Sequence, residues 1–328
     1  MNVPRERSGM LYILVGPGGV GKNVLLADAV THLDNLRQLP TATTRPRRPE
    51  EQHGRERLFV SDEEFQRMID EDRLIEHQEV HPGQFYGVPR DFVEQAIAEG
   101  RDLIADIEYK GADIIRRQYP QNSVTIFIAP PTLDTLRQRL EQRDASTQDI
   151  QDRLQRAIEE MFYAPTCSYL LVNDDMQVAR SELKAIIRAE RGELELPVAG
   201  YPLNRAQYVV EVLPLFGNET LVQMSSDDLP LRLSLAQGED PVAYALALME
   251  RWLPAVLPVA ESLRFDMPVH EPVSVDYDRA AHIYQLTLRY VYHLPLRIEP
   301  PDGWHWVDYR LAGAVSQAAG GKDKSEIE

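Results

Sequence analysis

The sequence predicts an α/β fold: a parallel sheet covered by helices, a small inserted subdomain with a lid, and a second α+β domain at the C-terminus. Three observations carry this. Short apolar runs alternate with amphipathic helical patterns from residue 10 to about 191. A glycine-rich loop joins the first run to the first helix, and the composition changes after Gly192. Short apolar strands between amphipathic helices bury a parallel sheet on both faces.

The strand-like runs are Leu11–Val15, Leu103–Ile107, Val124–Ala129 and Tyr169–Val172. Helical patterns separate or follow them at Val24–Leu36, Phe92–Glu99, Leu133–Gln142, Ile150–Phe162 and Val178–Arg191. Residues 41–86 break the rhythm with arginines, prolines and acids, as expected of an insertion over the sheet's carboxyl edge, where such folds bind ligands. Residues 192–202 contain Pro197, Gly200 and Pro202 and read as a linker. Residues 203–312 are expected to hold strands at Tyr208–Leu215, His282–Tyr292 and Trp304–Tyr309. One helix is expected at Pro241–Leu253, capped by Asp240. Residues 313–328 are small and charged and read as a disordered tail.

The formal net charge of −17 over 328 residues argues against nucleic acid or an anionic membrane as a partner. Any phosphate site must therefore be a local basic pocket. The single cysteine, Cys167, excludes an intrachain disulfide and a multi-cysteine zinc site, and its aromatic neighbours Tyr163 and Tyr169 predict a buried structural thiol. No apolar run reaches transmembrane length, and residues 1–9 are polar, so the cytoplasm is the expected compartment.

Gly16-Pro17-Gly18-Gly19-Val20-Gly21-Lys22 has the Gly-x-x-x-x-Gly-Lys spacing of a phosphate-binding loop, between an apolar strand and a helix. Glycines let successive N–H groups point at one anion, the helix start adds its dipole, and Lys22 adds a full charge. After the lysine such loops place a Ser or Thr that ligates magnesium; here it is Asn23, whose amide oxygen is also a hard donor. A nucleoside triphosphate is the expected ligand.

Arginines form two further sets. Thr43-Thr44-Arg45-Pro46-Arg47-Arg48-Pro49 concentrates guanidinium groups, suited to phosphate oxygens, on an extended stretch. Arg137, Arg139, Arg143, Arg153 and Arg156 read mostly as a solvated helix face paired with Glu141, Asp149 and Asp152. Arg143 and Arg153, however, flank the polar segment Asp144–Asp149, a lid able to bring charge over a transferring phosphoryl group.

With these motifs assembled, residues 10–191 resemble the guanylate kinase family. The phosphate loop, the segment at 43–49, Phe59–Phe65, Leu74-Ile75-Glu76 and Phe85–Arg90 occur in family order. Asp106-Ile107-Glu108, Ile126–Pro131 and Val172–Asp175 follow. The resemblance implies ATP-dependent phosphorylation of GMP to GDP. It assigns ATP to residues 16–23 and Asn173, and charge over the transfer to Lys22, Arg143 and Arg153. Arg45, Arg48 and Tyr86 would hold the GMP phosphate, Thr41 would also bind GMP, and Glu76 and Glu108 would lie at the guanine. Asn23 and Asp106 would face magnesium, Asp106 through water.

Three departures stand beside it. Asn23 replaces the hydroxyl at the metal. Arg57 stands where the family places a phosphate-binding tyrosine, and reads as either a phosphate ligand or a surface residue. Val88 replaces a base-reading Ser or Thr, a loss of roughly 0.5–1.5 kcal/mol net. They keep open a kinase for another phosphorylated acceptor and a non-catalytic binding module of the same fold. In the second domain, His270, Glu271, His282, His293 and His305 match no metal-ligand spacing. Tyr284, Tyr290 and Tyr292, with Trp304 and Trp306, alternate as one sheet face does. Binding of a protein partner or dimerisation is the role expected there.

Overall fold

A computed structural model of the chain describes residues 7–47, 49, 51–55, 57–142 and 147–194. In the C-terminal part it describes 205–216, 219–223, 231–235, 239–241, 243, 247, 269–270, 274–281, 283–293 and 304–308. Two compact units result, residues 1–205 with 279–282, and residues 206–278 with 283–328.

In the first unit, β1 (Leu11–Val15), α1 (Lys22–His32), β2 (Leu36–Gln38), β3 (Thr41–Thr43) and β4 (Arg57–Phe59) come first. Next are α2 (Asp62–Asp70), β5 (Leu74–His81), β6 (Gln84–Pro89), α3 (Arg90–Ala98), β7 (Asp102–Asp106) and α4 (Tyr109–Gln118). The unit closes with β8 (Ser123–Ala129), α5 (Leu133–Glu141), α6 (Thr147–Met161), β9 (Tyr169–Val172) and α7 (Met176–Glu190). Five strands form a parallel sheet in the order β2-β7-β1-β8-β9, and four form a smaller one, β4-β3-β6-β5. Every residue of the central strand β1 is buried, as a strand covered on both faces requires. Its core continues through Leu25, Ala29, Ile126, Ile128, Leu183 and Ile186.

The predicted strands and helices of this unit are present, with two corrections. The helix expected over Val24–Leu36 ends at His32, because Asn35 adopts a left-handed φ of 59° and its amide donates to the Gly100 carbonyl at 2.9 Å. That turn releases Leu36 to pair with Asp102 as an edge strand. Helix α4 was not expected, nor were α2 and strands β3–β6 of the insertion; the buried face of α4 is only Gly111, Ala112 and Ile115, too sparse to show against Arg116, Arg117 and Gln118. Side chains cap the surface helices: Ser61 accepts from the Glu64 N–H of α2, and Asp175 from the N–H groups of Gln177 and Val178. Cys167 is fully buried, and burial lifts its thiol to about 12, as expected of an inert thiol.

Among the described residues, the second unit is a seven-stranded sheet. Its strands are β10 (Arg205–Phe216), β11 (Glu219–Gln223), β12 (Leu231–Leu235), β13 (Val269–His270), β14 (Ser274–Asp278), β15 (Ile283–His293) and β16 (Trp304–Asp308). The order is β13-β15-β10-β11-β16, with β12 paired to β10 and β14 to β15. Tyr208, Leu235, Tyr284, Leu286 and Leu288 are buried. Three of these strands, β10, β15 and β16, match the expectation, and β11, β12, β13 and β14 were not expected. Most of the expected helix at 241–253, the linker from 195 and the tail at 313–328 lie outside the described residues, as do the side chains of Tyr290, Tyr292, Trp304 and Trp306. Among the described residues no helix is long and apolar enough to cross a membrane, and no cluster of three His, Cys, Asp or Glu could hold a metal.

Candidate active site

The carboxyl ends of the parallel strands supply one side of the site. β1 runs into the glycine loop, β7 ends at Asp106 and β9 is followed by Asn173. Gly16 has φ 134°, and a Cβ there would meet the Ile128 carbonyl oxygen at 2.4 Å, so the loop's first turn excludes any side chain. Lys22 folds back over the loop. Its Nζ donates to the Gly16 carbonyl and, at 3.2 Å, to that of Pro17, with Asp106 Oδ1 at 3.6 Å. Val20 is buried in the sheet's core and anchors the loop. The Asn173 Nδ2 donates to the Val20 carbonyl at 2.7 Å, and the residue is only 1% exposed. Asn173 therefore acts on the loop from beneath. Asn23 is exposed in the first turn of α1.

The small sheet supplies the other side. Glu76 on β5 is 6% exposed, and its Oε2 has no hydrogen-bond partner. Burial first, and the nearby Glu108 charge second, push its pKa up to about 7. Space for this carboxyl exists because α4 has glycine at 111, where a Cβ would lie 2.5 Å from Glu76 Oε2. Thr41 on β3 is buried and accepts from Arg57, whose guanidinium lies 5.6 Å from the centre of the Tyr86 ring. Burial lowers the pKa of Arg57. Val88, opposite Glu76 on β6, is fully buried and presents no hydroxyl.

Both sides meet in one cavity of about 350 Å³. Gly16, Gly18, Gly19 and Lys22 line it together with Thr41, Arg57, Glu76, Tyr86, Asp106, Glu108 and Arg153. Gln78, Arg156 and Glu160 line it too, and none of the three was picked as a site residue from sequence. Arg156 donates to Glu108 at 3.3 Å, so the expectation of a solvated helix face fails for it. It fails also for Arg139, which donates to the Asn173 carbonyl at 2.9 Å, and holds for Arg137, paired with Asp134 rather than Glu141. Glu160 on α6 has its pKa raised to about 8, chiefly by burial, with Lys22 opposing and Glu108 adding to the shift. Arg45 is not in the cavity wall. Both its Nη atoms bond Glu51, and it lies 5.6 Å from the Phe59 ring centre. Arg48 and Arg143 fall outside the described residues.

Of the residues missed, Gly111 left a signal: a glycine inside a helix costs stability and calls for a packing reason. Gln78 left a weaker one, two residues after Glu76 on the same strand face.

A glycine loop between strand and helix, facing a second compartment built on a small sheet, defines an α/β nucleotide-binding domain of the P-loop class. Residues 8–190 match the guanylate kinase family, and the chain belongs to it, among the nucleoside monophosphate kinases. A guanylate kinase of Desulfitobacterium hafniense is 41% identical over 187 residues, covering 57% of this chain and 92% of that one. One of Symbiobacterium thermophilum is 40% identical over 190 residues, covering 58% and 89%. A crystal structure of guanylate kinase from Anaplasma phagocytophilum aligns at 31% identity and TM-score 0.46, over 58% of this chain and 88% of that one. The C-terminal unit lies beyond the family match.

Proposed function

We propose that the chain transfers the γ-phosphoryl group of ATP to GMP, giving ADP and GDP. The observation that carries this reading is the single cavity lined both by the phosphate loop with Lys22 and by the partnerless buried carboxyl of Glu76. A phosphate oxygen of GMP attacks the γ-phosphorus while the bond to the β-γ bridging oxygen breaks, and ADP leaves with that electron pair. No covalent intermediate on the protein is needed; positioning and charge neutralisation suffice.

The roles follow from chemistry. The loop N–H groups and Lys22 hold the ATP phosphates, and Arg153, joined by Arg143, brings charge over the transfer. Glu76, ionised, accepts from guanine N1–H and the 2-amino group, which adenine cannot offer, and Glu108 lies beside it. Thr41 and Tyr86 face the acceptor phosphate, the family resemblance gives Arg48 the same role, and Arg45 joins them on exchanging Glu51 for phosphate oxygens. The donor set fits a magnesium ion that arrives with the nucleotide: Asp106 through water and the Asn23 amide oxygen are hard donors, and bound Mg2+ would neutralise phosphate charge there.

Coupled ADP release with Mg-ATP against GMP, dGMP, AMP, CMP and UMP tests this. Selective turnover of GMP and dGMP is expected; turnover of AMP alone, or of none, contradicts it. The buried Val88, with no hydroxyl at the base edge, favours a second reading in which the acceptor is a different monophosphate. The same panel separates the two.

A further inference from the structure

We propose that, among the described arginines, Arg57 is the principal cation gripping the acceptor's phosphate, and that Arg45 is a secondary one. This rests on the acceptor reading above and extends it to a residue outside the family pattern. Strand β4 runs parallel to β3 with Arg57 opposite Thr41, which brings the Arg57 Nη1 onto the Thr41 hydroxyl oxygen. The Tyr86 ring, 5.6 Å away, holds the guanidinium on a π face.

Among the described residues no carboxylate comes within ion-pair distance of Arg57, whose contacts are Thr41 and Tyr86. Arg57 is partly exposed on the cavity, and the Asp106 and Glu51 charges act on it only from beyond ion-pair distance, so an incoming anion would be its first close counter-ion. Its chemistry fits a phosphate. Of five N–H donors one is used on Thr41, while the Thr41 and Tyr86 hydroxyls each keep a proton to donate. Arg45 is the contrast: Glu51 already neutralises it, so a phosphate must displace a bidentate carboxylate before Arg45 can contribute.

The experiment compares Arg57→Ala, Arg57→Lys and Arg45→Ala in the full chain. It measures the calorimetric Kd for GMP, guanosine and ATP, the KM for each substrate, and thermal melting. Arg57→Ala should weaken GMP about 100-fold and leave guanosine, which has no phosphate, and ATP within twofold. Arg57→Lys should recover part of the loss, and Arg45→Ala should weaken GMP less than tenfold. GMP affinity within threefold of wild type in Arg57→Ala overturns the proposal. So does an equal loss for GMP and guanosine, which would make Arg57 a structural support. Wild-type protein that ignores GMP but turns over another monophosphate contradicts the guanine reading alone. Arg57 is then judged on that acceptor by the same criterion.

Discussion

The two ends of the cavity are built in different ways. At the ATP end, one contiguous segment sets the shape: Gly16 permits the turn, Val20 anchors it, and Lys22 is held by two carbonyls of its own loop. At the acceptor end, side chains from β3, β4, β5, β6 and α6 converge, and several are not yet in their working state. Glu76 has a pKa raised to about 7, Arg45 is tied to Glu51, and Glu108 is paired with Arg156. A backbone loop is ready for its anion. A cluster of charged side chains has to exchange partners when its ligand arrives, so its affinity should depend on pH through Glu76.

The largest break in this contrast is Lys22→Ala. Removing the one charged donor of the loop should lower kcat by about 10²–10³-fold or more, with unchanged melting and near-wild-type GMP binding. Steady-state kinetics beside calorimetry checks it, and wild-type-like turnover would sink the role given to Lys22.

Next is Gly16→Ala, which tests the loop as a backbone device. A side chain at positive φ, driven against the Ile128 carbonyl, should cost about 1–3 kcal/mol in denaturant unfolding and weaken ATP, while leaving GMP binding intact. Loss of GMP and ATP binding together would show that the two ends are not separable.

The acceptor end is probed by Glu76→Gln. Losing a hydrogen bond to a charged group costs about 1.5–3 kcal/mol, so KM for GMP should rise roughly 10–100-fold with KM for ATP unchanged. On the proposed reading, a proton must leave Glu76 of the wild type before guanine binds. GMP affinity should therefore fall as pH drops below about 7, by up to tenfold per unit, and Glu76→Gln should flatten that profile. A pH-independent Kd in the wild type would contradict the protonated resting state.

The smallest effect concerns stability. Glu76 and Glu160 have pKa values raised above the ordinary carboxylate range, so the folded protein holds protons that the unfolded chain has released. Their contribution therefore falls as pH rises from about 4.5 to 8, and Glu160→Gln should make that decline shallower. Denaturant midpoints across this range, equal in slope for variant and wild type, would rule it out.

The same contrast explains what the sequence revealed. The loop was legible because its chemistry is local: seven consecutive residues between a strand and a helix suffice. Asp106 and Glu108 were legible as part of one short motif. The pairing of Arg45 with Glu51, the room that Gly111 leaves for Glu76, and the turn of Arg156 and Glu160 into the cavity depend on tertiary packing. Spacing says where a charge sits on its own element, not which distant charge it will face. Arg57 shows this most clearly, since only the register of β4 on β3 decides between surface and cavity.

On the proposed reading, both ends of the cavity serve one transfer. Incubating the protein with γ-labelled Mg-ATP and GMP and separating the products tests it most directly. Label in GDP, equimolar with ADP and dependent on Lys22, is expected. Label released as free phosphate with no GDP formed, or no consumption of ATP, would contradict it.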